Sequence, residues 1–96
     1  MRLRDVIAEL GTCTVQGPTD IEVHQVHCDS RDVGPTDIFV AIRGQRIDGR
    51  RFVPDLNAAA IICDGPVEVR PDTTVIHVDD TRRALACAAA TLAGHP

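Results

Sequence analysis

Apolar residues Leu3, Val6, Ile7 and Leu10 recur at i, i+3, i+4 and i+7, and Gly11 follows them. That spacing predicts one face of a short amphipathic helix with a stop behind it. Gly17-Pro18-Thr19-Asp20 reads as a turn. Residues 21–28 are rich in β-branched types and predict a strand. Val23 is out of phase with Val26 and Cys28, and a bulge near His24-Gln25 would restore the alternation. Asp37 to Ile42 is apolar throughout after its first residue, which predicts a central strand buried on both faces.

Beyond it, Asp48 to Asn57 is polar and weakly helical, and Ala58 to Cys63 is almost wholly apolar and reads as a third strand closed by Asp64-Gly65-Pro66. Val67 to Val69 is expected to be a brief edge piece, and Thr73 to Val78 a further strand. The clearest element is the last. Asp79 or Asp80 can cap a helix, Arg82 to Leu92 then runs through five alanines between positions 84 and 90, and Gly94 and Pro96 stop it. Alanine favours helix strongly but offers little area to bury, so this helix should lie close against a flat surface such as a sheet. Strands interleaved with helical segments predict an α/β fold: one small domain with a mixed or largely parallel sheet of about four strands and packed helices.

Composition narrows the chemistry. The core must be built from Val, Ile, Leu and Ala, because the 96 residues hold two Phe and neither Trp nor Tyr. The formal net charge is −4, with no basic stripe and no aromatic platform, which argues against nucleic acid as a partner. All ten basic residues are Arg, so no step in this chain can use a phosphate-binding or Schiff-base Lys. The four Cys at 13, 28, 63 and 87 form no C-x-x-C pair. Cys63 and Cys87 sit in apolar runs and read as small buried hydrophobes. With no leader segment recognisable and no apolar run of membrane-spanning length, the expected compartment is a reducing cytoplasm, with no membrane contact.

Candidate chemistry gathers between positions 28 and 51. Asp29-Ser30-Arg31 precedes the central strand. Gly44 with Asp48-Gly49 follows it. Asp29 and Ser30 favour turns by bonding their own backbone, Asp29 is expected to fix its loop, and Arg31 can pair with a nearby carboxylate. Asp48-Gly49 is expected to be a turn, and Arg50 and Arg51 a solvated face. His24, His27 and Cys28 lack metal-site spacing, because residues three apart on a strand face opposite ways. No G-x-x-x-x-G-K-[ST] loop occurs in the sequence.

The ordered set D-S-R, G-P-x-D-I-F-V-A-I, G-x-x-x-D-G-R-R-F and V-x-D-T-R-R-A-L spans essentially the whole chain and resembles the N-terminal domain of Mur ligases. It looks most like the MurE type, with the MurF type second. The resemblance implies that residues 1–96 form one domain that holds the UDP end of a UDP-N-acetylmuramoyl-peptide. In the family the central domain binds ATP and Mg²⁺ and a C-terminal domain supplies the amino acid. Both lie outside this chain, so no cofactor and no catalytic residue are expected within it. Carried over by position, Cys28 and Ser30 would line the uridine side, and Gln45, Arg46 and Ile47 the facing loop. Ser30 can donate and accept, and Arg46 can add charge-assisted bonds to phosphate. Two departures stand out. The family often carries His-Gln where this chain has Gln45-Arg46, and the segment from Phe52 to Ala60 is shorter by about one helical turn. The alternative reading is a stand-alone, non-catalytic module that binds another nucleotide-linked ligand or docks on a protein partner through the Ala-rich helix.

Overall fold

The architecture described below comes from a computed structural model and covers residues 1–29, 31–42, 57–65, 67 and 69–94. Two helices and five strands follow the order α1 (Leu3–Leu10), β1 (Thr14–Gln16), β2 (Gln25–His27), β3 (Asp37–Val40), β4 (Ala60–Cys63), β5 (Thr74–His77) and α2 (Thr81–Leu92). The strands form one sheet in the order β1-β5-β4-β3-β2. β2 through β5 are mutually parallel, and β1 alone runs antiparallel, against β5. The expected α/β fold is therefore present, with five strands instead of about four.

Strand alternation splits the core into two layers. Ile38 and Val40 of β3, Ala60 and Ile62 of β4 and Ile76 of β5 face one side, where Leu3 and Val6 of α1 and Ala84 and Ala88 of α2 close over them. Phe39, Ala41, Ile61, Cys63 and Val75 face the other side, together with Ala58, and Val33, Val67 and Val69 pack on them. Every residue of β4 is buried, as is β3 from Ile38 onward, which accounts for their unbroken apolar runs. The alanines of α2 at 84 and 88 let its backbone approach the sheet closely, as their small size requires. Val67 and Val69 lie outside any strand, and Glu68, the middle of the expected edge piece, lies outside the described residues.

Two local features have sequence causes. The strand expected over 21–28 is split. Glu22 bridges Arg2, Val23 donates its amide to the Met1 carbonyl at 2.8 Å, and only Gln25–His27 pairs with β3. The phase slip between Val23 and Val26 is thus resolved by a change of partner rather than by a bulge within one strand. At α1, Arg2 supplies no side-chain cap. Its first amides are instead taken by the returning turn: Leu3 N–H donates to Ile21 O at 2.8 Å and Arg4 N–H to Thr19 O at 2.9 Å. At α2 the cap is the expected kind, with the Asp80 carboxylate accepting from Arg83 N–H at 3.1 Å.

Candidate functional site

In an open α/β sheet the carboxyl ends of the parallel strands finish along one edge, and ligands bind in the crevices beyond that edge. Here the edge is made by Cys28-Asp29 after β2, Ala41-Ile42 after β3, Asp64-Gly65 after β4 and Val78-Asp79 after β5. Cys28 is exposed and is the first residue past β2. Of the five sequence-predicted site residues, it is the one whose place is described: it stands at this edge. Ser30, Gln45, Arg46 and Ile47 lie outside the described residues, as do Asp48-Gly49, the Arg50-Arg51 pair and most of the weakly helical 48–57 stretch.

The turn next to Cys28 is tightly specified. Asp29 Oδ1 accepts the Arg31 backbone N–H at 2.9 Å. The Arg31 side chain reaches back to the same carboxylate, donating Nε–H to Oδ1 at 3.1 Å and Nη2–H to Oδ2 at 2.7 Å. Asp32 N–H donates to the Asp29 carbonyl at 3.1 Å, closing the turn. These bonds favour the ionised carboxyl, and the Arg31 side chain holds Asp29 down at about 2. The same pairing raises Arg31. Asp29 is thus the loop-fixing residue its type suggested, and Arg31 is committed to it.

β2 and β3 are neighbouring parallel strands joined by residues 28–36, shorter than the dozen or so a crossover usually takes. The strap runs from the carboxyl edge back to the amino edge and is fastened at three places. Asp29 fixes its start. Val33 packs on Phe39's side of the sheet at mid-course. At its end Asp37 Oδ2 accepts Gly34 N–H at 2.9 Å, and Asp37 N–H donates to Gly34 O at 3.0 Å. His27 leans on this end, with Nε2 3.0 Å from Gln25 Oε1 and 3.6 Å from Asp37 Oδ2. His24 is exposed, its backbone N–H donating to Thr36 O. Among the described residues no three His, Cys, Asp or Glu side chains gather as metal ligands.

Two features escaped the sequence reading. Cys63 and His77 are in register on β4 and β5, with Sγ 3.6 Å from Nδ1. Only the register brings them together, since fourteen positions separate them in the chain. A cleft of about 500 Å³ lies past the end of β5, lined by Glu9, Leu10, Val78, Asp79, Arg83 and Cys87 among others. Cys87 is half-buried rather than buried, and its thiol donates to the Glu9 carbonyl at 3.1 Å across this cleft. The cleft and Cys28 occupy opposite ends of the edge, β5 being separated from β2 by β4 and β3, or about 14 Å of sheet.

Comparison with known proteins bears on the chain as a whole. The family model described as "Mur ligase family, catalytic domain" matches residues 22–92. The UDP-N-acetylmuramoyl-L-alanyl-D-glutamate–2,6-diaminopimelate ligase of Chlorobium phaeobacteroides is 38% identical over 96 residues, covering 93% of this chain and 19% of that ligase. The ligase of the same name from Cytophaga hutchinsonii is 34% identical over 88% of this chain and 18% of its own length. That from Bacteroides fragilis is 33% identical over all of this chain and 21% of its own. The chain therefore spans about a fifth of the length of these curated relatives. A family match over most of the sequence, joined to identities of 33–38% over 88–100% of its length, shows that the chain belongs to the Mur ligase family.

Proposed function

We propose that this chain is the N-terminal, UDP-binding domain of a MurE-type ligase and holds the nucleotide end of a UDP-N-acetylmuramoyl-peptide. The observation that carries this reading is the whole-chain similarity to ligases whose names specify UDP-N-acetylmuramoyl-L-alanyl-D-glutamate as the acceptor. The fold supports it, because Cys28 stands at the carboxyl edge where open α/β sheets take ligands. Cys28 and Ser30 would face the uridine, and Gln45, Arg46 and Ile47 the diphosphate from the loop after β3. Arg46 would add charge-assisted bonds to the diphosphate.

In this reading the domain binds and orients, and does not activate. The sequence carries no nucleoside-triphosphate loop, so ATP, Mg²⁺ and the incoming amino acid belong to the central and C-terminal domains of the ligase. A few loop contacts on one domain give weak binding. Millimolar affinity corresponds to about −4 kcal/mol, the scale expected for this chain by itself.

Calorimetry with UDP-muramyl-dipeptide, UDP-N-acetylglucosamine and UDP tests the proposal. Binding of all three at about millimolar strength, with the muramyl ligand tightest, is the expected result. A folded chain that takes up none of them at that concentration refutes it. Ser30→Ala is expected to weaken all three, and unchanged binding removes Ser30 from the site.

A further inference from the structure

We infer that Asp29 is a positioning residue for nucleotide binding, acting through the hydrogen bond its carboxylate accepts from the Arg31 backbone N–H. This rests on the UDP-binding reading above and adds to it a residue that touches no ligand. Asp29 follows Cys28 at the carboxyl edge and starts the strap to β3. Its carboxylate takes the Arg31 amide at 2.9 Å and the Arg31 guanidinium at 2.7 and 3.1 Å.

This much bonding at one exposed turn does little for the fold. The Arg31 side chain is 86% exposed, and exposed ion pairs contribute little to stability. What the bonds do is remove freedom from the backbone at Asp29 and Arg31, next to Cys28, which is proposed to face the uridine. A loop ordered before the ligand arrives does not have to be ordered by it. The far end of the strap is braced in the same manner by Asp37 on Gly34, so the loop is held at both ends.

The sign of the charge effect separates this role from simple proximity. A carboxylate beside a diphosphate repels it, so an Asp29 acting only as a nearby charge would weaken binding. Removing it would then tighten UDP. An Asp29 acting through the turn has the opposite signature. Asp29→Ala loses the acceptor and is expected to weaken UDP by about five- to tenfold. Asp29→Asn keeps an oxygen for the Arg31 amide and is expected to bind within about twofold of the unaltered chain.

The experiment is calorimetric titration of UDP into the unaltered chain and the two variants, with thermal melts to confirm folding. Amide hydrogen exchange at Arg31 is read in the unaltered chain with and without UDP. Weakening by Asp29→Ala, recovery in Asp29→Asn and slower Arg31 exchange under UDP support the inference. Tighter binding in both variants, equal loss in both, no change in either, or Arg31 exchange indifferent to UDP overturns it while the UDP reading stands. An unaltered chain that is folded and does not bind UDP overturns both, and that outcome is recognised before any variant is compared.

Discussion

Gly17→Ala tests whether the turn after β1 is built around a close backbone approach. Gly17 has φ +115°, a conformation L-residues rarely adopt, and a Cβ placed there would lie 3.0 Å from both Cα and Oγ1 of Thr74. The Thr74 hydroxyl donates to the Pro18 carbonyl, so the threonine cannot swing aside without losing that bond. Its Cα belongs to β5, which is paired on both sides. Relief must come from the turn, and the turn carries Thr19 and Ile21, whose carbonyls take the first two amides of α1.

Two costs add. Holding alanine at this φ takes about 1–3 kcal/mol, and forcing the contact apart adds about 1–2 kcal/mol, by analogy with overpacking. Gly11→Ala is the matched control: its φ is +80°, but a Cβ there meets nothing within 4 Å. It should show the torsional cost alone. Domains of about this size are stable by roughly 5–15 kcal/mol. Each kcal/mol shifts the melting temperature by about 4–8 °C for a domain of this length. Gly17→Ala is therefore expected to melt at least about 5 °C below Gly11→Ala in parallel thermal scans followed by far-UV circular dichroism. Equal melting temperatures would show that the close approach to Thr74 imposes no constraint, and the account of the turn would fail.

Removing the α2 cap with Asp80→Ala should cost about 1 kcal/mol in a urea titration, while Asp80→Asn stays within a few tenths, because an amide oxygen still accepts from Arg83 N–H. The Asp29 carboxyl should titrate at about 2 by NMR, and in Arg31→Ala should move up toward the ordinary value of 3.8. Because the folded value is the lower one, the pair's contribution is complete above about 4 and fades as pH falls toward 2. Exposed Cys28 should alkylate in the native chain while fully buried Cys63 reacts only on unfolding. UDP should slow the Cys28 reaction, and alkylation indifferent to saturating UDP would place Cys28 away from the ligand.

The sequence was most legible where one residue type leaves the chain one choice. Leu3–Leu10 forms over the predicted span, Asp80 caps α2 as one of the two candidates, and β3 and β4 are buried on both faces as their apolar runs require. The first edge strand was invisible for a physical reason. Thr14-Val15-Gln16 is three residues long with a half-exposed centre, and its pairing with β5 depends on a partner some sixty positions away. The same holds for Cys63 and His77, which only register brings together. His24-Gln25 shows the intermediate case. A broken alternation marked the place, yet could not say that the chain there leaves the N-terminal residues and joins β3.

The site divides along the same line. That Asp29 would fix the turn ahead of the central strand was readable from its residue type, whereas the Gly44 loop lies outside the described residues. Which end matters was not readable, since it depends on the parallel pairing of β2 with β3. That pairing forces residues 28–36 to travel the length of the sheet, so the strap's start and finish lie at opposite edges. Asp29 and Asp37 are therefore not equivalent, although each accepts a backbone amide within its own turn. Asp37 braces the amino edge, where the parallel strands begin and no ligand crevice is expected. Asp29 braces the carboxyl edge, beside Cys28. Two aspartates with the same local chemistry thus acquire different consequences from topology alone, and mutating both separates them. Asp37→Ala should lower stability with little selective effect on UDP, whereas Asp29→Ala should do the reverse.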